Sequence, residues 1–469
     1  MHTSTTSTVP LVSWTAAQLL EATQGYWLND QAPNTEIKRI LTDSRDAEAG
    51  DAFLALKGER FDAHAFITRV AEQGCQVAIV SQPIDAEICQ LVVPDTRLAL
   101  GQLGAYRRAQ NPQLKVIALT GSSGKTTTKE MLGSILSRIA PTLVTRGNLN
   151  NDLGVPVMLL ELRPEHQYAV MELGASHQGE IDYTSNLVQP LVAGIINIGT
   201  AHLGEFGGRD GICRAKSEIY AHIAPNGTSI VPAADDFADS IRQAVQTEQV
   251  LSFGAGGEIF ATEIELQAQS ATFKLNTPQG VRQVNLPFAG EHNVQNATAA
   301  AAFALAIGIR LDEIVIGLEQ AVGAKGRLNF IQQGRHLLID DTYNANPTSM
   351  RAAAEVLAQQ EGVRVMVMGD IGELGSSAAQ QHYMLGRDLV SVKGLNFVVA
   401  VGEFAPAAQE GARSTQYGKK MQAFLTQEQA LPFLLSLIET HQPQSMSFLF
   451  KGSRYTHMET LMADLMEKL

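Results

Sequence analysis

Cysteine is scarce in this chain. Cys75, Cys89 and Cys213 are the only three in 469 residues, scattered and odd in number. No C-x-x-C pair occurs, so neither a structural zinc site nor a disulfide framework is indicated. Such usage fits a reducing cytosol, and a cytoplasmic location is expected. Long apolar runs are also missing. The longest, about Ala297–Ile309, is shorter than the roughly 20 residues that span a bilayer. Its alanine-rich pattern predicts a packed interior helix, and no membrane insertion is expected. The first ten residues, MHTSTTSTVP, lack a basic start and an apolar centre. They do not read as a signal peptide, and residues 1–12 are read as a disordered tail. Positive charge is in deficit, with 35 Lys and Arg against 48 Asp and Glu, a net −13. A general nucleic-acid binder needs a positive footprint, so no nucleic-acid partner is expected. Small anionic ligands stay open, because a local patch of backbone N–H groups and lysines can outvote the global sign.

What is present is ordinary globular composition, 45% hydrophobic and 18% charged, over a length that suits two to four domains of roughly 100–200 residues. The pattern predicts an α/β protein in three parts. Residues 13–110 alternate short apolar runs (Asp51–Leu56, Gln76–Val80, Leu91–Val93) with polar turns around a helix at His64–Gln73, a small α/β domain. Residues 111–325 repeat strand-then-helix units, with near-continuous apolar strands at Val116–Thr120, Tyr168–Glu172, Leu191–Ile198 and Thr228–Val231, as a parallel sheet covered on both faces requires. Lys125–Ile139 reads as an amphipathic helix stopped by Pro141. Residues 259–288 alternate apolar and polar residues and read as an antiparallel insertion. Residues 326–469 restart the rhythm at His336–Asp341, Arg364–Met368, Asn396–Val401 and Met446–Lys451, predicting a second doubly wound sheet. Ligands of such sheets bind beyond the carboxyl ends of the strands.

The stretch VIALTGSSGKTTTKE (116–130) sits at such an end. Thr120 closes a buried strand and Lys125 opens a helix. Between them Gly121 and Gly124 permit the backbone angles of a phosphate nest. The helix N-terminus adds exposed N–H groups and partial positive charge. Lys125 can reach nucleotide phosphates, and the Thr126 hydroxyl can sit on Mg²⁺. The spacing is G-x-x-G-K-T; the usual longer form would need glycine at position 119, where this chain has leucine. An empty glycine turn is the bland alternative, but it does not require the Lys-Thr pair or the amphipathic helix that follows. Glu172 ends a neighbouring apolar strand, where a nucleotide-bound Mg²⁺ wants an oxygen ligand; a solvated strand-end carboxylate is the alternative. His202 follows the strand Leu191–Ile198 on the same side of the sheet, and a structural histidine is the alternative there. Thr42-Asp43-Ser44-Arg45 follows Ile40-Leu41 and suits an oxygen-rich anionic ligand, or else an Asx turn with an exposed ion pair.

These stretches, together with GNLNNDLGVP (147–156), MELGASHQGEID (171–182), NIGTAHLGEFG (197–207), RAKSEIY (214–220), GEHNVQNATAAAA (290–302), DDTYNANPTSM (340–350), MGDIGELG (368–375) and KGSRYTHME (451–459), resemble the Mur ligases in kind and in order, from residue 42 to 459. The resemblance implies an N-terminal domain for a UDP-linked substrate, a central ATP-binding P-loop domain and a C-terminal Rossmann-like domain. It implies ATP, Mg²⁺ (two ions) and an acyl-phosphate intermediate. The best match is to the branch that joins D-alanyl-D-alanine to UDP-N-acetylmuramoyl-tripeptide in cytoplasmic peptidoglycan precursor synthesis. The D-N-P-R tetrapeptide typical of the diaminopimelate- or lysine-adding branch is absent. Another Mur ligase or a folylpolyglutamate synthase-like ligase is the rival of the same class; a P-loop regulatory ATPase is the rival of another.

By resemblance the nucleotide residues are Gly121, Ser122, Ser123, Gly124, Lys125, Thr126, Thr127, His292, Asn293, Asn296, Arg327, Asp341 and Asn344. Thr126, Glu172, His202 and Lys216 would serve the metal ions, Lys216 as an N-carboxylated lysine; without the resemblance Lys216 reads as a helix-surface lysine. Lys125, Glu172, His202 and Lys216 form the implied catalytic set. Asp43, Ser44, Arg45, Lys57, His64, Asn148, Asn150 and Asn151 are implied for the UDP substrate, and Asp370, Glu373, Lys451, Ser453 and Arg454 for the dipeptide pocket. Many relatives carry proline before the Gly-Arg pair, where this chain reads Ala324-Lys325-Gly326-Arg327. The family is mostly monomeric, and a monomer is expected.

Overall fold

The computed structural model describes residues 12–58, 61–200 and 203–469. The packing divides the chain into two compact units. One comprises Met1–Ala118, Ala140–Leu173 and Asp182–Pro190; the other comprises Leu119–Ile139, Gly174–Ile181 and Leu191–Leu469.

The first unit is built on a five-stranded sheet in the order Tyr26–Trp27, Cys89–Val92, Val77–Val80, Ala52–Leu54, Ile40–Leu41. Its central strands, VAIV and AFL, are fully buried and pair in parallel, Ala52 against Val77 and Leu54 against Ile79. Tyr26–Trp27 joins the edge antiparallel. The helix expected at His64–Gln73 is a 3₁₀ turn, Ala63–Phe66, running into an α-helix, Ile67–Glu72. Helix Thr96–Ala109 starts at Asp95, whose Oδ1 accepts the Arg97 and Leu98 amides at 2.7 and 3.1 Å, an N-cap that satisfies two of the helix's free donors. This helix packs on helix Gly154–Leu160 so closely that a Cβ on Gly104 would lie 3.0 Å from Pro156 Cα. That helix pair is why residues 140–173 group with the N-terminal segment, across the boundary at 110 that the sequence suggested.

In the second unit Gln249–Phe253, Thr228–Pro232 and Val192–Ile195 lie side by side in parallel, and in the first Thr142–Val144 pairs in parallel with Tyr168–Glu172. The strand expected over 191–198 spans four residues, and its C-terminal extension is irregular. Helix Lys125–Ser137 buries Met131, Leu132, Ile135 and Leu136; Ile139, expected on that face, lies beyond its end and is exposed. The insertion is a three-stranded antiparallel sheet, Phe260–Leu266, Ala271–Thr277 and Gly280–Leu286. The alanine-rich run belongs to helix Glu291–Ala306, buried from Ala297 to Ala304.

The C-terminal sheet has the order Asn329–Gln333, His336–Asp340, Met446–Lys451, Val363–Gly369, Phe397–Val401, Met421–Phe424. All pairs are parallel except the first. Alternate residues feed two cores: Met366 and Leu449 pack with Leu385 and Leu389 on one face, while Val365, Val367, Phe448 and Phe450 pack with Leu434 and Leu461 on the other. Both faces are therefore covered by helices, which is why the strands read as continuous apolar runs. The edge strands NFIQQ and MQAF escaped the sequence pattern because each is short and only partly buried.

Candidate active site

The cradle forms where the strand Lys115–Thr120 ends. Gly124 has φ +78°, and a Cβ built on it would lie 2.2 Å from Asn296 Oδ1. Glycine is needed there twice, for the left-handed backbone and for the approach. Asn296 Nδ2 donates to Asn293 Oδ1 at 3.0 Å, and Asn293 Nδ2 donates to Ala289 O at 2.8 Å. The H-N-x-x-N motif thus backs the loop with a buried amide chain. Lys125 Nζ donates to Gly121 O at 2.8 Å, folding the lysine over its own loop. Asn197, which the sequence reading did not single out, clamps the loop. Its Oδ1 accepts the Ser123 amide at 2.9 Å, its Nδ2 donates to Ser123 O at 2.9 Å, and its backbone carbonyl accepts the Ser122 amide at 3.1 Å. The available signal was its place as the first polar residue after the apolar run Val192–Ile196.

A cavity of about 460 Å³ opens beside this loop. It brings together Ser123, Gly124, Thr127, His292, Asn293, Asn296, Arg327 and Asp341 from the expected nucleotide set, and Lys451 as well. Strand register explains the last two. His336–Asp340 and Met446–Lys451 are adjacent and parallel, with Asp340 opposite Phe450, so Asp341 and Lys451 emerge at one tip. Lys451 Nζ donates to Asp341 Oδ2 at 2.7 Å and to Asn344 O at 3.0 Å. Burial pushes Asp341 up and Lys451 down, and each partner's charge opposes the other's shift. Burial, aided by the Lys451 charge, pushes His292 down to about 4, so its imidazole is neutral near pH 7. Arg327 lies over the Tyr343 ring, 4.4 Å from its centroid, and its Nη2 donates to Thr126 Oγ1 at 3.2 Å. Asn346 Nδ2 donates to Ser123 Oγ at 2.9 Å. Cationic side chains, Arg327 and Lys451 among them, therefore line a cavity of nucleotide size.

In the first unit, Glu172 is buried at the end of its strand. Its Oε1 accepts from Asn150 Nδ2 at 2.8 Å and its backbone amide donates to Thr145 Oγ1 at 3.0 Å. Its Oε2 is buried with no hydrogen-bond partner among the described residues, so the solvated-carboxylate alternative fails. A buried carboxylate oxygen left this way fits a hard cation. Among the described residues, no three His, Cys, Asp or Glu side chains group as a metal cage; Mg²⁺ held through nucleotide phosphates uses only one or two carboxylates. Lys216, on helix Arg209–Ser217, is 1% exposed, which excludes the surface-lysine reading. His202 lies outside the described residues.

Comparison with known proteins gives the family. Residues 119–304 match the Mur ligase middle domain and residues 326–454 the Mur ligase, glutamate ligase domain. The UDP-N-acetylmuramoyl-tripeptide--D-alanyl-D-alanine ligase of Escherichia coli is 41% identical over 97% of this chain and 99% of its own length. The chain belongs to the Mur ligase family. Among solved structures, MurF from Acinetobacter baumannii superposes with a TM-score of 0.95 at 75% identity, covering 98% of this chain and all of that one. A Thermotoga maritima MurF in complex with ADP superposes with a TM-score of 0.79 at 25% identity, covering 92% and 97%.

The remaining candidates of this Mur ligase are largely engaged in local structure. Asp43 Oδ1 accepts from the Arg45 amide at 3.0 Å and from its Nε at 2.9 Å, an Asx turn with an exposed ion pair. Those bonds hold the Asp43 carboxyl down at about 2. Ser44 lies in that turn, and Asp43 lines a second cavity of about 200 Å³ with Trp14, Arg39 and Thr42. Lys57 Nζ lies 3.8 Å from Asp62. His64 is buried between Asp62 Oδ1, 2.5 Å from its Nδ1, and the Ser81 amide, which donates to Nε2 at 2.9 Å. Asn148 O accepts the Asn150 amide, and Asn151 Oδ1 accepts the Gly154 amide at 2.8 Å. In the C-terminal sheet, Asp370 accepts the Glu403 and Phe404 amides at 2.7 and 3.1 Å, and burial raises its pKa. Ser453 Oγ accepts the Gly372 amide at 2.8 Å, Arg454 pairs with Glu459 at 2.7 Å, and Glu373 O accepts the Gly204 amide at 3.2 Å. Of the five expected at the dipeptide pocket, Lys451 lines the nucleotide-sized cavity.

Proposed function

We propose that this Mur ligase uses ATP to join D-alanyl-D-alanine to UDP-N-acetylmuramoyl-tripeptide, giving ADP and phosphate, in the cytoplasm and as a monomer. The observation that carries the reading is the clamped G-x-x-G-K-T loop facing a cationic cavity, in a chain whose near-full-length relatives bear that ligase name. The three-part division 13–110, 111–325 and 326–469 is part of the proposal.

The γ-phosphoryl group passes to the terminal carboxylate of the tripeptide. The P–O bond to ADP breaks, and an acyl phosphate forms. The dipeptide amine then attacks the acyl carbon; the tetrahedral adduct loses phosphate and a proton and leaves the new peptide bond. Bringing a carboxylate to a polyphosphate crowds negative charge, so positioned cations supply most of the catalysis. Lys125, at the helix N-terminus, and Arg327, which donates to Thr126, supply that charge in this reading. Neutral His292, Asn293 and Asn296 frame the nucleotide, and Asp341 with Asn344 orients Lys451. Thr126 and Glu172 would hold Mg²⁺, with His202 and a carboxylated Lys216 assigned to a second ion. Bound there, the ions would offset phosphate charge. An unmodified lysine ammonium cannot ligate a cation, whereas its carbamate is an anionic oxygen donor.

An acceptor-panel assay tests the reading. Phosphate release should require ATP, Mg²⁺, UDP-N-acetylmuramoyl-tripeptide and D-alanyl-D-alanine together. Turnover with free diaminopimelate in place of the dipeptide would overturn the substrate assignment. Release with no acceptor would instead indicate an ATPase.

A further inference from the structure

Three hydroxyls gather beside the cradle. Ser122 is 5% exposed, and its Oγ is buried with no hydrogen-bond partner among the described residues. Buried hydroxyls are normally paired, and one that is not calls for a missing partner. Gly199 lies against it. A Cβ built on Gly199 would sit 3.7 Å from Ser122 Oγ and 3.9 Å from Thr348 Oγ1. Both hydroxyls therefore border one gap, kept open because residue 199 carries no side chain. The Thr200 hydroxyl reaches the same place, 3.3 Å from Thr348 Oγ1. Gly199, Thr200 and Thr348 all line the cavity of about 460 Å³. Thr348 also belongs to a helix end. Helix Pro347–Ala358 starts at Asn346. Asn346 Oδ1 accepts the Ser349 amide at 2.8 Å, and its carbonyl accepts the Met350 amide at 3.0 Å. Proline has no N–H to give at the first position, so the Thr348 amide is the donor that Asn346 leaves open. Asn346 Nδ2 donates to Ser123 Oγ at 2.9 Å, which ties this helix end to the cradle.

We infer that the Ser122, Thr200 and Thr348 hydroxyls and the Thr348 amide form a second phosphoryl subsite beside the cradle. Its ligand is a tetrahedral phosphate group. A helix N-terminus offers partial positive charge and free N–H groups to an anion, and the unpaired Ser122 hydroxyl adds a buried donor. Donors that come from several elements suit an oxyanion with oxygens on several sides better than a planar carboxylate. Among the described residues lining the cavity Asp341 is the one acid, and Lys451 pairs with it, so no unmatched negative charge opposes the ligand. In this division of labour the cradle holds the diphosphate that ADP keeps. The hydroxyl subsite holds the phosphoryl group that ATP gives up, and orthophosphate before it leaves. The inference rests on the nucleotide part of the ligase reading.

Two variants test the subsite by opposite means. Thr348→Val keeps the side-chain shape and removes a hydroxyl, whereas Gly199→Ala keeps every hydroxyl and sets a methyl group in the gap. Isothermal titration compares β,γ-imido-ATP with ADP at fixed Mg²⁺. Each variant should bind β,γ-imido-ATP at least about tenfold more weakly than wild type, the loss expected for a hydrogen bond to a charged group, and ADP within about twofold. A second arm titrates orthophosphate into ADP-saturated protein, where each variant should again bind at least about tenfold more weakly. The first arm reads the phosphoryl group on the nucleotide and the second reads free phosphate; a loss in either supports the subsite and says which it serves. Wild-type affinity for both probes in folded Thr348→Val protein overturns it, even if Gly199→Ala misfolds. An equal loss of ADP and β,γ-imido-ATP overturns it too, because the hydroxyls would then serve the cradle as a whole. If the wild-type protein binds both nucleotides but does not ligate, the ligase reading fails alone, and the comparison of nucleotides still decides the subsite.

Discussion

Replacing Asn197 by alanine tests the cradle at its clamp. The substitution removes the acceptor of the Ser123 amide and the donor to Ser123 O, both at 2.9 Å. A stranded buried donor costs about 1–3 kcal/mol, and a made hydrogen bond contributes about 1 kcal/mol net. Ser123 is only partly buried, so water recovers some of this, and a loss of about 1–2 kcal/mol of loop organisation is expected. That loss should reappear when nucleotide orders the loop. At 1.4 kcal/mol per tenfold, ADP affinity should fall by about 5- to 30-fold. Isothermal titration with ADP, at fixed Mg²⁺ and ionic strength, reads this directly. Asn197→Asp should do worse, since it turns the Nδ2 donor into an acceptor facing Ser123 O and sets negative charge beside phosphate. Its excess loss should shrink as salt rises. An Asn197→Ala protein that is folded and binds ADP within about twofold of wild type would refute the reasoning.

Three further outcomes are expected. Lys125→Ala should keep its fold, since the side chain is only partly buried, but should lose phosphoryl transfer by at least about 100-fold; equal turnover in a coupled phosphate assay would remove the lysine from the mechanism. Lys216→Ala should be inactive and partly rescued by formate or acetate, which replace carbamate oxygens; no rescue across a carboxylate series would count against the carbamate. Stability should fall as the pH drops below about 6.5. Burial lowers the pKa of His166, His292, His336 and His382, so the unfolded chain takes up these protons first and the native state loses ground. His382 shows why: its Nδ1–H donates to Ala378 O at 2.7 Å while Nε2 accepts the Ile371 amide at 3.0 Å, leaving no place for a second proton. Raised Asp341 and Asp370 act the other way at lower pH, so the comparison is with His382→Gln. That variant should lose less stability to urea between about pH 7 and about pH 5 than wild type; an equal loss would show that His382 is not a source of the slope.

Local chemistry carried much of this protein on its own. The loop Gly121–Thr126 was legible because strand, glycine turn, lysine and amphipathic helix follow one another without a gap. The doubly wound sheets were legible because strands covered on both faces read as unbroken apolar runs, as in VRVMVMG and MSFLFK. The antiparallel insertion announced itself by alternation. Two edge strands of the C-terminal sheet, NFIQQ and MQAF, did not, because each is short and only partly buried.

Tertiary structure alone decided what lay beyond contiguous residues. Asn197 became a clamp only when its strand lay near the loop, 74 residues away in sequence. Lys216 lost its reading as a surface lysine only when its helix packed. Asp341 and Lys451, 110 residues apart, met because two parallel strands share a register. Sequence sets what a side chain can do and which short-range shapes the backbone takes; which distant partner it finds depends on how whole elements pack, and that is written in no local pattern.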